Sequence, residues 1–406
     1  MHILPPSASP DSALLLTAKG LRATADGFVS VILPAYLLLL GFGPLQIGLL
    51  ATVALAGSAV VTLAVGHLRL GLTARGMLLL ASGLMAVTGL AFATLGSFWV
   101  LLAVAFLGPL NPSAGDVSMF LPLEHSLLAG SVSGRDRTAL FSRYSLIGSL
   151  MGGAGSLLAA VPDLVVHHVG LTPLRAFQSM FLAYAAIGAA SGFVYRALSP
   201  ADRGAATVKR QPLGASRRHV YGLAALFGVD AFGGGLFVQS ILALWLFQRF
   251  GLSVTAAAQI FFWTNLLSAF SFLAAAPLAQ RIGLVNTMVF THLPSNLCLV
   301  LIPFMPDVQW SLALLMLRSL LSQLDVPTRS SYVMAIVTPA ERSAAASITS
   351  VPRGLASALG PVLSGYLLSL AAFGWPLVIG GLLKIGYDLS LYSLFRKVRP
   401  PEERDD

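Results

Sequence analysis

Charge is what this sequence has least of. Only 10% of its 406 residues are charged, 25 basic and 16 acidic, against an apolar fraction of 56%. A soluble domain carries about 25% charged residues. So few ionic side chains cannot clothe a chain of this length in water, which excludes a soluble enzyme and a disordered scaffold. The net charge of +9 does not point to a nucleic-acid partner either, because its meaning depends on where the basic residues fall. Cysteine is nearly absent. Cys298 alone, inside an apolar run, excludes a disulfide framework and a cysteine-based metal site. There is no Gly-x-x-x-x-Gly-Lys-Ser/Thr phosphate loop, no His-Glu-x-x-His and no Cys/His cluster, so neither P-loop ATP use nor a catalytic metal is indicated. No cofactor is expected. A mean hydropathy of +0.82 makes this an integral membrane protein whose solvent is the lipid bilayer.

What is present is a series of long apolar runs. A hydrocarbon core about 30 Å thick takes roughly 20 helical residues to cross. Cutting at charged, polar and Pro/Gly-rich breaks leaves twelve runs, near 19–41, 45–66, 75–95, 97–130, 138–161, 171–197, 218–248, 254–280, 284–304, 308–337, 342–371 and 373–395. The fourth, seventh, tenth and eleventh exceed a simple crossing, so tilt, breaks or protruding ends are expected there. Asn111-Pro112 and Leu121-Pro122 are expected kinks, because proline removes a helical hydrogen bond. The fold class is an all-α membrane protein of twelve transmembrane helices. Its organisation is a short cytoplasmic lead (1–18), a six-helix bundle (19–197), a cytoplasmic linker (198–217), a second six-helix bundle (218–395) and a cytoplasmic tail (396–406). Leu14-Leu15-Leu16 is too short, and too poor in preceding basic residues, for a removed signal peptide.

The basic residues gather in alternate loops: Arg69 and Arg75, Arg135 and Arg137, Arg281, Arg342, the 198–217 linker, and the tail from Arg396. The opposite loops offer little beyond Arg175 and Arg249. The positive-inside rule places both termini in the cytoplasm of a cytoplasmic (inner) membrane. The two halves also repeat weakly at an offset near 205 residues. Ala25-Asp26-Gly27-Phe28 answers Val229-Asp230-Ala231-Phe232, and Arg69-Leu70-Gly71 answers Arg281-Ile282-Gly283. Gly115-Asp116-Val117-Ser118 answers Leu324-Asp325-Val326-Pro327. Asp136-Arg137 answers Glu341-Arg342, and Gly148/Gly155 answer Gly354/Gly360.

With this six-plus-six plan, a basic connector after the sixth run and basic, glycine-containing 2–3 and 8–9 loops, the chain resembles the major facilitator superfamily over essentially its whole length. The family's 2–3 loop usually reads Gly-x-x-x-Asp-Arg-x-Gly-Arg-Arg. Here Gly66-His67-Leu68-Arg69-Leu70-Gly71-Leu72-Thr73-Ala74-Arg75 lacks the acidic member, so the charge lock of that loop is not carried over. Gly360-Pro361 with Gly365 is similar to the Gly-Pro motif of the family's antiporters, which normally belongs to span five. The resemblance implies two pseudo-symmetric six-helix bundles around a central cavity lined by spans 1, 4, 7 and 10. It also implies alternating access by rocking of the halves, with a small-molecule substrate and a functional monomer. Fold alone does not name the substrate.

An Asp, Lys or Arg at a helix centre is about 2.5–3.5 kcal/mol uphill in a bilayer, so intramembrane charges face partners or a wet cavity. Asp26, Asp116, Asp230 and Asp325 all fall on the four runs that the resemblance assigns to the cavity. With Arg329 and Arg353 they are the candidate substrate and proton pathway. Arg22/Asp26, Asp325/Arg329 and Lys384/Asp388 are spaced i, i+4, which puts both members on one helix face. Arg22, Lys384 and Asp388 are accordingly read as members of structural charge pairs. Asp116 and Asp230 have no basic residue within a turn; each must be met from another helix, by water or by a proton, with Arg143 or Arg353 as interhelical partners. Burial disfavours the ionised carboxylate, so Asp230 is the expected titrating group. Arg353, deep in its run beside Pro352 and Gly354, is the better candidate for holding an anion. Glu124-His125 reads as a solvated interfacial pair, with a proton relay as the alternative.

Gly233-Gly234-Gly235 beside Asp230 allows either a helix break or close packing. Gly148/Gly152 and Ala356/Gly360 read as packing surfaces. Tyr36, Trp245, Phe261, Phe262, Trp263 and Tyr332 fit a cavity wall or interface anchors equally. The function expected is a secondary active, proton-coupled transporter of a small organic solute, with export favoured over import by the frequency of efflux in the resembling family. A non-transporting sensor or lipid-handling protein on the same fold is the alternative; an intramembrane hydrolase or transferase lacks any nucleophile–base motif. The orientation is testable. Single cysteines in the 198–217 linker, on a background lacking Cys298, should resist an impermeant thiol reagent in intact cells; labelling from outside would invert the topology.

Overall fold

In a computed structural model, residues 9–67, 73–113, 118–131, 134–199, 213–214, 216–338, 341–396 and 398 are described. Among them every regular element is helical, sixteen α-helices and one 3-10 turn, grouping into the twelve expected spans. Span one is α1 (Pro10–Leu39), span two α2 (Pro44–His67) and span three α3 (Ala74–Thr94). Span four splits into α4 (Phe98–Leu107) and α5 (Phe120–Gly130). Span five is α6 (Gly134–Leu158), followed by the short α7 (Val161–Val169), and span six is α8 (Pro173–Arg196). Span seven splits into α9 (Arg217–Gly235) and α10 (Gln239–Phe250), and span eight is α11 (Val254–Ile282). Span nine is α12 (Leu284–Leu301) with the 3-10 turn, and span ten splits into α13 (Val308–Leu321) and α14 (Asp325–Ala335). Spans eleven and twelve are α15 (Arg342–Leu370) and α16 (Trp375–Phe395).

The breaks have local causes. After α4, Gly108, Pro109, Asn111 and Pro112 end the helix where two prolines have no N–H to give. Pro122 is no kink. It is the third residue of α5, where a missing N–H breaks no intrahelical bond. Pro327 stands at the same third position of α14, which is why span ten restarts. In span seven the helix ends at Gly235, the last of the three glycines. Span eleven is not broken: α15 runs through Pro352 and Pro361 over 29 residues, leaving tilt or protruding ends of the outcomes expected there. α1 begins at Pro10, inside the segment read as the 1–18 lead, with Leu15, Leu16 and Ala18 buried in the core. Most of the 198–217 linker lies outside the described residues. Eight helices among the described residues are long and apolar enough to cross a bilayer on length and composition alone. The fourth, eighth, tenth and eleventh spans are not in that set.

The chain divides into two units, Met1–Ala205 with Val238–Phe262, and Ala206–Phe237 with Trp263–Asp406. In the first, α1 packs on α6, α8 and α10, α3 on α8, and α2 on α4. Its core includes Leu15, Leu78, Phe120, Tyr144 and Tyr195. In the second, α9 packs on α15 and α16, and α12 on α13, α14 and α16, around Val220, Phe227, Met288, Tyr332 and Tyr387. Small residues set the closest approaches, as lipid-solvated helices require. A Cβ on Gly155 would come within 2.1 Å of the Thr24 carbonyl oxygen, and one on Gly235 within 2.2 Å of that of Ser357, the carbonyl that Pro361 leaves without its helical donor. Gly152 and Gly360 are packing positions as expected, facing Ala23 and Gly235 respectively.

At one end of the second unit, Glu341 collects the backbone N–H of Gly214, the Ser216 hydroxyl (2.9 Å) and the Thr338 hydroxyl (2.9 Å). The carboxylate thereby ties the end of the 198–217 segment to the turn before α15. The Gly214 amide first, then Thr338 and Ser216, hold its carboxyl below the usual carboxylate range. A folded-state value below the unfolded one stabilises the fold above the unfolded value, and that contribution is lost as pH falls through the folded one. Glu341→Gln should therefore lower the melting temperature of the detergent-solubilised protein at pH 7, with the gap to wild type closing as pH is taken below the carboxylate range. A gap that persists in acid would rule out this tie as its source.

Candidate functional site

Among the described residues each unit holds a buried ionic cluster. In the first, α1 presents Arg22, 4% exposed, to the fully buried Glu124 of α5, and the two form an ion pair. Arg22 Nε donates to the Tyr195 hydroxyl of α8 (3.0 Å), which donates in turn to Glu124 Oε1 (2.6 Å). Tyr144 of α6 donates to Glu124 Oε2, and the Phe120 ring lies 4.0 Å from the Arg22 guanidinium carbon. Four helices are thus joined through one carboxylate. Two expectations are corrected here. The carboxylate against Arg22 is Glu124 rather than Asp26, because the i, i+4 neighbour shares its face while α5 brings a carboxylate end-on. Nor are Glu124 and His125 a solvated pair: Glu124 is enclosed, and the His125 ring meets Phe141 and Tyr144 edge-on at 4.8 and 5.1 Å. Asp26 is half-buried and accepts from Asn111 Nδ2 at 3.3 Å, in the gap of span four. Asp116 lies outside the described residues.

The second cluster is larger. Asp230 of α9, 3% exposed, is the expected titrating group, with Arg143 or Arg353 as its alternative partner from another helix. It is met from other helices, by different residues. Lys384 of α16 donates to Oδ1, Arg329 of α14 reaches Oδ2 at 3.1 Å, and His292 Nε2 of α12 lies 3.9 Å from Oδ1. Sequence spacing could not see Lys384 or His292, which arrive on other helices. Asp325/Arg329 is paired within α14 as its spacing implies. Lys384/Asp388 is not the contact made: Lys384 turns to Asp230, while Asp388, fully buried, takes His292 Nδ1 (2.8 Å) and Asn296 Nδ2 (2.9 Å). His292 therefore stands between two carboxylates on different helices. It and Asn296 were the residues missed. Their signal was a His and an Asn one turn apart inside an otherwise apolar run.

Two further cations differ from these. Arg353 of α15 and Arg318 of α13 each have a buried Nε without a hydrogen-bond partner, and among the described residues no carboxylate lies within ion-pair distance of either. Arg318 stacks over the Phe237 ring at 4.8 Å. Arg143 is half-buried on α6. Of the aromatic residues, Tyr36, Trp245 and Tyr332 are fully enclosed and Phe261 is buried, so they belong to cores, whereas Trp263 is exposed. No group of His, Cys, Asp and Glu able to hold a metal ion occurs among the described residues.

Comparison with known proteins agrees with this architecture. The sequence profile described as Major Facilitator Superfamily matches residues 15–324 and 225–406. The chain is 22% identical over 423 residues to the uncharacterised membrane protein YJR124C of Saccharomyces cerevisiae, covering 96% of this chain and 94% of that protein. The crystal structure of the D-xylose-proton symporter superposes with a TM-score of 0.74 at 14% identity, covering 97% of this chain and 98% of that one. That of the nucleoside transporter NupG gives 0.71 at 16% identity, covering 96% and 100%. At such identities the solved structures speak for the fold alone.

The Arg22–Glu124 pair makes a direct prediction. Removing one partner of a buried pair costs about 3–5 kcal/mol, whereas replacing both by apolar residues is far milder. Glu124→Ala should depress the melting temperature sharply, and Arg22→Met combined with Glu124→Leu should restore much of it. A larger loss from Asp26→Ala than from Glu124→Ala would return Arg22 to its neighbour on the same helix.

Proposed function

The chain belongs to the Major Facilitator Superfamily, and from that premise we propose that it is a secondary active transporter moving a small organic solute by alternating access, with proton movement coupled to it through His292. The observation that carries the coupling is the position of this imidazole, 2.8 Å from Asp388 through Nδ1 and 3.9 Å from Asp230 through Nε2. A neutral imidazole that donates from Nδ1 to Asp388 leaves Nε2 free to take a proton on the side of Asp230. Histidine is the side chain whose ordinary titration spans physiological pH. Asn296 and Tyr387 contact the imidazole, and Lys384 and Arg329 face it through their shared carboxylate, Asp230. Lys384 and Arg329 compensate Asp230, and Arg329 also compensates Asp325. Asp388 has His292 and Asn296 as its hydrogen-bond donors, so a proton on His292 neutralises the third carboxylate.

Asp26, Asp116, Asp230, Asp325, Arg329 and Arg353 remain the proposed pathway, with His292 added and Asp230 recast as its ionised partner. The transporter is placed in a cytoplasmic membrane with both termini inside, on the strength of the basic loops, and acts as a monomer. Export is taken as the direction on the frequency of efflux in the family, and on no residue of this chain. His292→Gln should abolish solute movement driven by an imposed pH gradient in proteoliposomes, while solute–solute exchange persists. Gradient-driven movement at the wild-type rate in that variant would remove His292 from the coupling.

A further inference from the structure

The second unit carries more positive charge inside its spans than it uses. Arg318, Arg329, Arg353 and Lys384 face Asp230, Asp325 and Asp388: one cation in excess with His292 neutral. Among the described residues every close ion pair of the unit is made by Arg329, Lys384 and His292, and Arg318 and Arg353 have no carboxylate within ion-pair distance. Neither can leave its guanidinium neutral, since arginine stays protonated in proteins. Arg353 is also close to the network. Val220 and Leu223 early in α9 pack in the same cluster as Ala345 and Ile348 early in α15, so the two helices run side by side in one direction. Gly235 abuts Ser357, and Arg353 lies one turn before Ser357, roughly 6 Å back toward the level of Asp230 at 1.5 Å per residue. A buried cation with its Nε unsatisfied, beside a network whose carboxylates are already paired with Arg329, Lys384 and His292, is an arrangement that an anion would complete.

Resting on the transporter reading above, we propose that the solute is an organic anion, whose carboxylate or phosphate-type oxyanion is received by Arg353, with Arg318 on Phe237 as a second cationic contact. An oxyanion accepts two parallel N–H donors from one guanidinium, which satisfies the Nε as well as the charge. A monoanion also brings the embedded charge of this unit to zero, the state a bilayer favours.

The test uses the full chain in detergent and reads thermal stabilisation, since a ligand bound to the folded state raises its melting temperature by mass action. Benzoate and phenyl phosphate are compared with the neutral benzamide and phenol and with the cation benzylamine. One or both anions should stabilise the protein and their counterparts should not. Arg353→Gln should weaken anion binding about tenfold or more, the scale of a lost charge-assisted contact, and Arg353→Lys should keep part of it. Benzoate alone would identify a carboxylate, phenyl phosphate alone a phosphate ester. Stabilisation by no anion, equal stabilisation by the neutral compounds, or unchanged anion binding in Arg353→Gln overturns the proposal. If Arg353→Gln does not fold, the wild-type preference for anion over amide still decides it. Flux of a neutral solute without anion binding defeats this inference and leaves transport standing; anion binding without flux of any solute does the reverse.

Discussion

A charge inside hydrocarbon must meet its opposite within the protein, and the arrangement of helices here follows from that constraint. Lipid tails are as apolar as leucine, so burial of leucine does little to choose one helix partner over another. Glu124 chooses. By taking Arg22, Tyr144 and Tyr195 it requires α1, α5, α6 and α8 to meet at one depth. Asp230 and Asp388 do the same for α9, α12, α14 and α16 through Lys384, Arg329 and His292. Around these fixed points glycine permits the close approaches, and tyrosine supplies hydroxyls where a second cation would leave charge uncompensated.

The same solvent penalises loose backbone as severely as loose charge, and the broken spans answer that penalty. In the gap of span four, the Pro109 carbonyl accepts from the Tyr184 hydroxyl at 3.1 Å and the Pro112 carbonyl from the Ser240 amide at 3.0 Å. Where span seven opens, the Leu236 carbonyl takes the Ser364 hydroxyl at 2.6 Å. Where span ten opens, the Arg318 carbonyl takes the Ser322 amide at 2.9 Å. Non-helical backbone at membrane depth is tolerated on these terms, with protein supplying the partners that lipid cannot. The breaks fall on three of the five spans that hold intramembrane aspartates, so polar positions and irregular backbone largely coincide.

Much of this was legible from residues alone, and the divide is physical. Run length and proline placement are local properties, so the twelve spans and the irregularity at Asn111-Pro112 could be read in order, while Gly233-Gly234-Gly235 fitted a break or close packing alike. Asp325/Arg329 was legible for the same reason, being one turn apart. The other pairs were not. Spacing reports only which residues share a helix face, whereas Arg22 and Lys384 extend beyond their own helices to carboxylates 102 and 154 positions away. His292 escaped notice because a lone histidine adds no formal charge, and Glu124 was misjudged because its closeness to a helix end says nothing of what covers it.

The two clusters then divide the chemistry unequally. Around Glu124 one carboxylate meets one guanidinium, and the remaining contacts are phenols, whose ordinary titration lies near pH 10. This cluster ties α1, α5, α6 and α8 together as a strut. Around Asp230 and Asp388 sit a histidine, three carboxylates and surplus cations. Charge there can be redistributed by one proton or one bound anion without breaking the Asp325/Arg329 pair. A repeat of one helical plan thus need not repeat its function. The halves share span order and the placement of Asp26 and Asp230, yet the second joins a histidine to two buried carboxylates and has, in Arg318 and Arg353, cations outside the ion pairs of its described residues. On the proposed function, the first unit supplies rigidity and the second supplies the sites whose occupancy changes.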